Sequence, residues 1–463
     1  MRPVVLIDAV GLTPRQLGKD TPALFELAQS GAGAPMNAIL PAVTCSAQAT
    51  MLTGALPSSH GIVGNGWFDR ESFDIALWRQ SNALVRGKKL YELARERDPS
   101  FTCAKIFWWW NMGAAVDWSI TPRPYYPADG RKIPAVYGAP SAYPQWLEGQ
   151  LGAFPFFDFW GPKSGLPSSR WLAEAAVKTL EHYQPTLTMV YLPHLDYDHQ
   201  RFGPNDPRSK RALFELDALV HRIAAAAEKR GAATVVVSEY GLNEVTTPVH
   251  VNHALRAEGL LAVRETPDGE LLDPFASKAF AVADHQIAHV HTRDAKSADA
   301  ARKVLERLPG VERVLGPDEK RAAGLDHPRA GDLVAISKRE SWFAYYYWLD
   351  DERAPDFART VDIHRKPGYD PCELFVDPTI ASPKLRVARR LLQKKLGMRY
   401  LMDVIPLDAR LVRGSHGRVP DDPQDGPVFL CSKAWKHCGG EPKGSRVDMT
   451  SVCERVLALM FGE

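Results

Sequence analysis

The chain has 463 residues, 45% of them hydrophobic and 24% charged, with a formal net charge of +2. That length holds one large domain with insertions or two domains, and the composition is that of a globular chain. Bulk charge gives no argument for nucleic acid or an anionic membrane, and no apolar run approaches the roughly 20 residues of a membrane-spanning helix.

Met1-Arg2-Pro3 leads directly into an apolar strand, Val4-Val5-Leu6-Ile7, that ends in Asp8. On that reading no signal peptide is expected there. Its six cysteines (Cys45, Cys103, Cys372, Cys431, Cys438 and Cys453) have no CxxC spacing, so they read as reduced thiols of a cytoplasmic protein. Thr44 follows in Pro41-Ala42-Val43-Thr44-Cys45-Ser46-Ala47-Gln48-Ala49, at the start of a small-residue helix. A carboxylate at a strand tip and a hydroxyl at a helix N-terminus suit an enzyme. A metal held by Asp8 would lower the pKa of the Thr44 hydroxyl, and helix N–H groups would cradle the anion under attack. Taken singly, each also reads as an ordinary turn former or cap.

Next come Pro57-Ser58-Ser59-His60-Gly61-Ile62-Val63-Gly64-Asn65, Trp67-Phe68-Asp69, and an aromatic run, Phe107 to Trp110. Trp108, Trp109 and Trp110 read equally as a pocket wall or as core. Thr188–Leu192 and Thr234–Ser238 have strand composition, and the segment from about 211 to 230 between them has helical periodicity and ends at Gly231. This is βαβ order, which implies a mostly parallel sheet. The first strand leads to Asp196 and the second to Glu239. Carboxyl ends of parallel strands are where open α/β sheets place their sites, so Asp8, Asp196 and Glu239 are expected on one rim. Residues 246–330 read as a smaller α+β insertion with a helix near 297–308, which leaves 1–245 and 331–463 as the core. Residues 381–400 form a basic amphipathic helix, read as a solvated face, with nucleic-acid or membrane contact as the alternative.

The series formed by the Asp8 strand, the Thr44 block, His60-Gly61-Ile62-Val63-Gly64-Asn65 and the late Gly414-Ser415-His416-Gly417 with Pro427-Val428-Phe429-Leu430 resembles the alkaline phosphatase superfamily. Within it, the series resembles the nucleotide pyrophosphatase/phosphodiesterase branch. The resemblance implies a large, mostly parallel α/β sheet flanked by helices. It also implies two divalent metal ions, usually zinc, about 4 Å apart, which clamp the attacking and departing oxygens. Carried over, Thr44 is the nucleophile, and Asn65 is an oxyanion donor with the Cys45 N–H as its partner. Asp8 and Thr44 match the first metal site, Asp196 and His416 the second.

The chain departs from the pattern at three places. Where the family has Asp-His after a strand, this sequence has Glu239-Tyr240; Glu can still ligate, and Tyr is a poor zinc ligand. The fourth residue after Asp196 is Gln200, with His199 one short and His194 two before, on the same side if the chain is extended. Val361-Asp362-Ile363-His364 makes His364 a competitor of His416, and His285 is a further source of nitrogen. His194, His199 and His285 also read as loop or core histidines. The candidate metal ligands are Asp8, Thr44, Asp196, His199, Glu239, His364 and His416, and the catalytic pair is Thr44 and Asn65.

The expected function is metal-dependent hydrolysis of phosphodiester or phosphoanhydride bonds in a small-molecule phosphate ester, with neither nucleic acid nor membrane as partner. A phosphonate hydrolase or phosphomutase on the same metals is the alternative, as is a non-hydrolytic binding or scaffold protein that kept the fold. A sulfatase is disfavoured, because Cys45-Ser46-Ala47-Gln48-Ala49 lacks the Pro and Arg of the sulfatase core.

Overall fold

Val4–Ala9 is buried at every position and pairs on both sides, parallel to Leu187–Leu192 and to Ala233–Val237. A strand covered on both faces needs a continuous apolar run rather than alternation, and Val4 to Ile7 supplies one. The computed structural model describes residues 1–128, 132–442 and 444–462.

Among the described residues, nine strands form the central sheet. Their order is Val447–Asp448, Ala32–Asn37, Val428–Cys431, Ala233–Val237, Val4–Ala9, Leu187–Leu192, Cys103–Ile106, Trp118–Pro122 and Val136–Ala139. The run from Ala233–Val237 to Trp118–Pro122 is parallel throughout. Val428–Cys431 and Val136–Ala139 add antiparallel strands on either side of that run. The expected α/β architecture is thus present.

Alternate residues of the first strand feed two apolar layers. Val4 and Leu6 belong to a core with Cys45, Met51 and Leu52 of helix Thr44–Thr53 and with Val456 of helix Val452–Phe461. Val5 and Ile7 belong to the other core, with Leu172 and Val177 of helix Leu166–His182 and Leu216 and Val220 of helix Pro207–Glu228. The last of these helices starts at Pro207, where the Asp206 side chain accepts the Arg208 N–H, and its C-cap is Lys229. Gly231, the expected cap, lies just beyond, turning the chain at φ +65°.

A second, antiparallel sheet has the order Ala279–Asp284, Ile287–Thr292, Leu333–Ser337, Val311–Leu315, with helix Ala295–Glu306 in the same unit. Leu333–Ser337 is an interior strand of this sheet, so the α+β unit runs past residue 330. The first two strands meet at a two-residue turn, His285-Gln286, with His285 at φ +60°. This tip reaches the rim of the central sheet, where the Gln286 N–H donates to the His416 carbonyl at 2.7 Å. No described helix is long and apolar enough to cross a membrane.

Candidate active site

Asp8 stands in register with Tyr191 and Val237 at the carboxyl ends of the three middle strands. Glu239 follows Val237 closely, and Asp196 lies in the first turn of helix His194–Phe202, just after Leu192. Thr44 is the first residue of its helix and is buried. The parallel topology therefore gathers groups that are far apart in sequence.

Gln48 lies one turn after Thr44, on the same helix face. Its Nε2 donates to Asp8 Oδ2 at 3.0 Å and to Glu239 Oε1 at 2.7 Å, while its Oε1 accepts the Trp109 N–H at 2.6 Å. The remaining carboxylate oxygens, Asp8 Oδ1 and Glu239 Oε2, are buried without a partner. Burial holds both carboxyl groups above their usual range, and for Asp8 the neighbouring Glu239 adds to the effect. The Thr44 hydroxyl lies 3.2 Å from the Tyr240 hydroxyl.

Tyr240 begins a stack of four rings. Its ring lies 3.5 Å from that of His416, His416 3.6 Å from His285, and His285 3.8 Å from Tyr369. The far end closes back on the carboxylates: Tyr369 OH donates to Gln200 Oε1 at 2.7 Å, and Gln200 Nε2 donates to Asp196 Oδ2 at 2.6 Å. Asp196 Oδ1 is unpartnered and faces His416 Nε2 at 3.9 Å. Burial pushes the Asp196 carboxyl up to about 7 and the His416 imidazole down to about 3. Both His416 and His285 are therefore neutral rings near pH 7.

Asn65 is held from two sides. Its Oδ1 accepts the Cys45 N–H at 3.0 Å, and its backbone N–H and Nδ2 donate to the two oxygens of Asp284 at 2.8 and 3.0 Å. The Cys45 N–H is thus engaged by Asn65 itself, which corrects its expected role as a free oxyanion donor. One Nδ2 hydrogen of Asn65 remains. Asp284 comes from the α+β unit, and burial raises its carboxyl to about 6.

The structure thus brings together Asp8, Thr44, Asn65, Glu239, Asp196 and His416, and leaves out two expected ligands. His199 faces away from the carboxylates, with its Nε2 3.3 Å from Gln16 Nε2 and its ring lining a separate cavity of about 690 Å³. The physical reason is helical geometry: residues 194–202 are helical, so Gln200, four residues on, covers Asp196. His364 is exposed, next to Arg123 and Lys132, with its ring on the Leu77 carbonyl. His194 is a core residue whose Nε2 lies 3.1 Å from the Ala212 carbonyl. Trp108, Trp109 and Trp110 are buried; Trp110 Nε1 donates to the Cys45 carbonyl at 3.1 Å, so this run braces the Thr44 helix from behind.

Gln48, Asp284 and Tyr369 were not singled out from sequence. Gln48 carried a readable signal, as the long polar side chain one turn after Thr44 in a helix of small residues. Asp284 and Tyr369 carried none, because a tertiary contact delivers them.

Among the described residues, no three or more His, Cys, Asp or Glu side chains gather closely enough to hold a metal ion by themselves. Two smaller groups offer open coordination. At the first, Asp8 Oδ1 and Glu239 Oε2 are unpartnered, and the Glu239 carboxylate lies beside the Thr44 hydroxyl. At the second, Asp196 Oδ1 faces His416 Nε2. Tyr240 and Gln200 stand where the resemblance implies histidine, so the donors are richer in oxygen than an ordinary pair of zinc sites.

The sequence profile of the Type I phosphodiesterase / nucleotide pyrophosphatase family matches residues 4–370. The chain belongs to this family. An uncharacterized pyrophosphatase/phosphodiesterase of Schizosaccharomyces pombe is 25% identical over 220 residues, which are 45% of this chain and 37% of that relative. The matched region is thus well under half of the relative's length. Among solved structures, phosphonoacetate hydrolase from Sinorhizobium meliloti 1021, in complex with phosphonoformate, superposes with a TM-score of 0.62 at 15% identity, covering 99% of this chain and 96% of that one. An inactive threonine-to-alanine form of murine ectonucleotide pyrophosphatase / phosphodiesterase 5, in complex with AMP, gives 0.59 at 12% identity, covering 99% and 95%. At these identities the two structures establish the shared fold.

Proposed function

We propose that this member of the family hydrolyses phosphodiester or phosphoanhydride bonds of a small phosphate ester, with Thr44 as nucleophile. The observation that carries the reading is the position of the Thr44 hydroxyl at a helix N-terminus, beside Tyr240 and the buried Glu239 carboxylate, which Gln48 links to Asp8. Family membership supports the reaction class. The murine relative, inactive as a threonine-to-alanine form and bound to AMP, supports the nucleophile and a nucleotide-like substrate.

Tyr240 orients the Thr44 hydroxyl, and Glu239 takes its proton as Thr44 Oγ1 bonds to phosphorus and the P–O bond to the leaving group breaks. Asn65, fixed by Asp284, turns its free Nδ2 hydrogen to the phosphoryl oxygen. Water then cleaves the Thr44–phosphorus bond, and the threonine regains its proton. Asp8, Glu239 and Thr44 would hold one divalent ion, and Asp196 with His416 a second. Such ions, when bound, supply positive charge for the alkoxide and the phosphoryl oxygens. The all-oxygen first set suits magnesium or manganese as readily as zinc, whereas imidazole at the second suits zinc. The absence of disulfides among the six cysteines suits a reducing, cytoplasmic setting.

A non-hydrolytic binding role draws on one observation: the Gln48 amide donates to both Asp8 and Glu239, a neutral substitute for a cation between them. Purified protein assayed with a chromogenic phosphodiester, a dinucleotide and phosphonoacetate, with and without added magnesium, manganese or zinc, separates the readings. Metal-stimulated phosphodiester cleavage supports the proposal. Phosphate release from phosphonoacetate alone supports the phosphonate alternative. Binding without turnover under every condition supports the non-hydrolytic one.

A further inference from the structure

Helix Pro383–Lys395 contains no buried residue. It is tethered on one side, where Val387 packs against the core of the α+β unit and Arg390 Nε and Nη2 donate to the two oxygens of Asp403, each at 2.9 Å. On the side turned away from the tether, Leu385, Leu392 and Leu396 are 71%, 56% and 65% exposed. With Ala388 they recur at intervals of three and four residues, so they form one continuous stripe along the helix. An apolar stripe of this kind ordinarily faces a core, and here it faces out.

The charge around the stripe has one sign. Residues 383–399 hold seven Lys and Arg and no Asp or Glu. Arg386 and Arg390 share the single carboxylate of Asp403, which offsets one of their two charges. Lys384, Arg389, Lys394, Lys395 and Arg399 form no ion pair with any described residue. By helical spacing Arg389 flanks one edge of the stripe, and Lys384 and Lys395 flank the other. Cations on both edges of an exposed leucine row are the pattern of a helix lying flat in a bilayer interface, with its leucines among the acyl chains and its cations level with anionic headgroups. A second copy of the same helix would bring like charges together.

We propose that this helix docks the protein onto anionic membrane surfaces as a peripheral anchor. Leu385, Leu392 and Leu396 insert, and the unpaired cations engage lipid phosphates and carboxylates. This is a surface contact, compatible with the absence of a spanning helix among the described residues. The proposal does not depend on the reaction assigned to the site.

The test is co-sedimentation of the full chain with phosphatidylcholine vesicles, with and without phosphatidylserine. The expected result is at least roughly tenfold stronger partitioning onto the phosphatidylserine vesicles, largely abolished by high salt. Leu385→Asp with Leu392→Asp should lower partitioning about tenfold, as should Lys384→Glu with Lys395→Glu. Melting temperature and turnover of a soluble substrate should stay unchanged, since none of these residues touches the site. Equal partitioning onto neutral and anionic vesicles, or none onto either, overturns the proposal. So does a leucine variant that still binds vesicles and instead shifts the oligomeric mass, which would assign the stripe to a second copy.

Discussion

His416 Nε2 and Asp196 Oδ1 face each other across 3.9 Å with no hydrogen bond between them. His416 Nδ1 lies 2.8 Å from the Ala42 carbonyl, which can only accept, so Nδ1 carries the ring proton and Nε2 presents its lone pair. A lone pair aimed at a carboxylate oxygen calls for a positive charge between them, either a proton or a metal ion. Backbone anchoring of the other ring nitrogen is also how metal-ligating histidines are usually oriented.

A pH dependence follows from this pair. The Asp196 carboxyl is raised from 3.8 to about 7, chiefly by burial. The folded state therefore binds its proton more tightly than the unfolded chain does. That contribution to stability is complete below about pH 4 and is lost as pH rises through about 7. A divalent ion competes with the proton, so the gain in melting temperature on adding zinc or manganese should grow across the same window. Differential scanning fluorimetry with and without metal measures it. A metal-induced gain that is equal at both ends of the window contradicts the assignment.

Gln48→Glu should have opposite effects in the two metal conditions. Without metal, a third carboxylate beside Asp8 and Glu239 replaces two donated hydrogen bonds with repulsion, for a loss on the order of 2–3 kcal/mol. With a divalent ion present, the added ligand should restore much of that loss. Chemical denaturation in chelator and in excess metal compares the two. A variant equally destabilised in both conditions argues against an ion at Asp8 and Glu239.

Asp284→Ala removes the anchor of Asn65 and leaves the Asn65 backbone N–H and Nδ2 without their acceptor. The expected result is a fall in kcat of roughly tenfold to a hundredfold with a smaller change in KM, because Asn65 acts on the developing charge. Steady-state kinetics with a chromogenic phosphodiester reads both parameters. A loss confined to KM would place Asp284 in substrate binding instead.

The sequence made some of this site readable and hid the rest. Asp8, Asp196 and Glu239 could be placed on one rim because each follows an apolar strand, and parallel strands align their carboxyl ends. Thr44 and Asn65 carried recognisable neighbours. His199 misleads because it is merely the histidine nearest the position the resemblance implies, whereas the helix turns His199 toward Gln16 and puts Gln200 over Asp196. His364 misled because a motif resemblance does not fix where a loop lies. Asp284 was out of reach because its position depends on how the tip of the α+β unit docks against His416.

The most direct test of the central claim is turnover of a chromogenic phosphodiester by Thr44→Ala in the presence of added divalent metal. The expected result is a rate reduced by about a thousandfold or more, with a melting temperature close to that of the parent protein. Hydrolysis at the parental rate by a folded Thr44→Ala protein would contradict it.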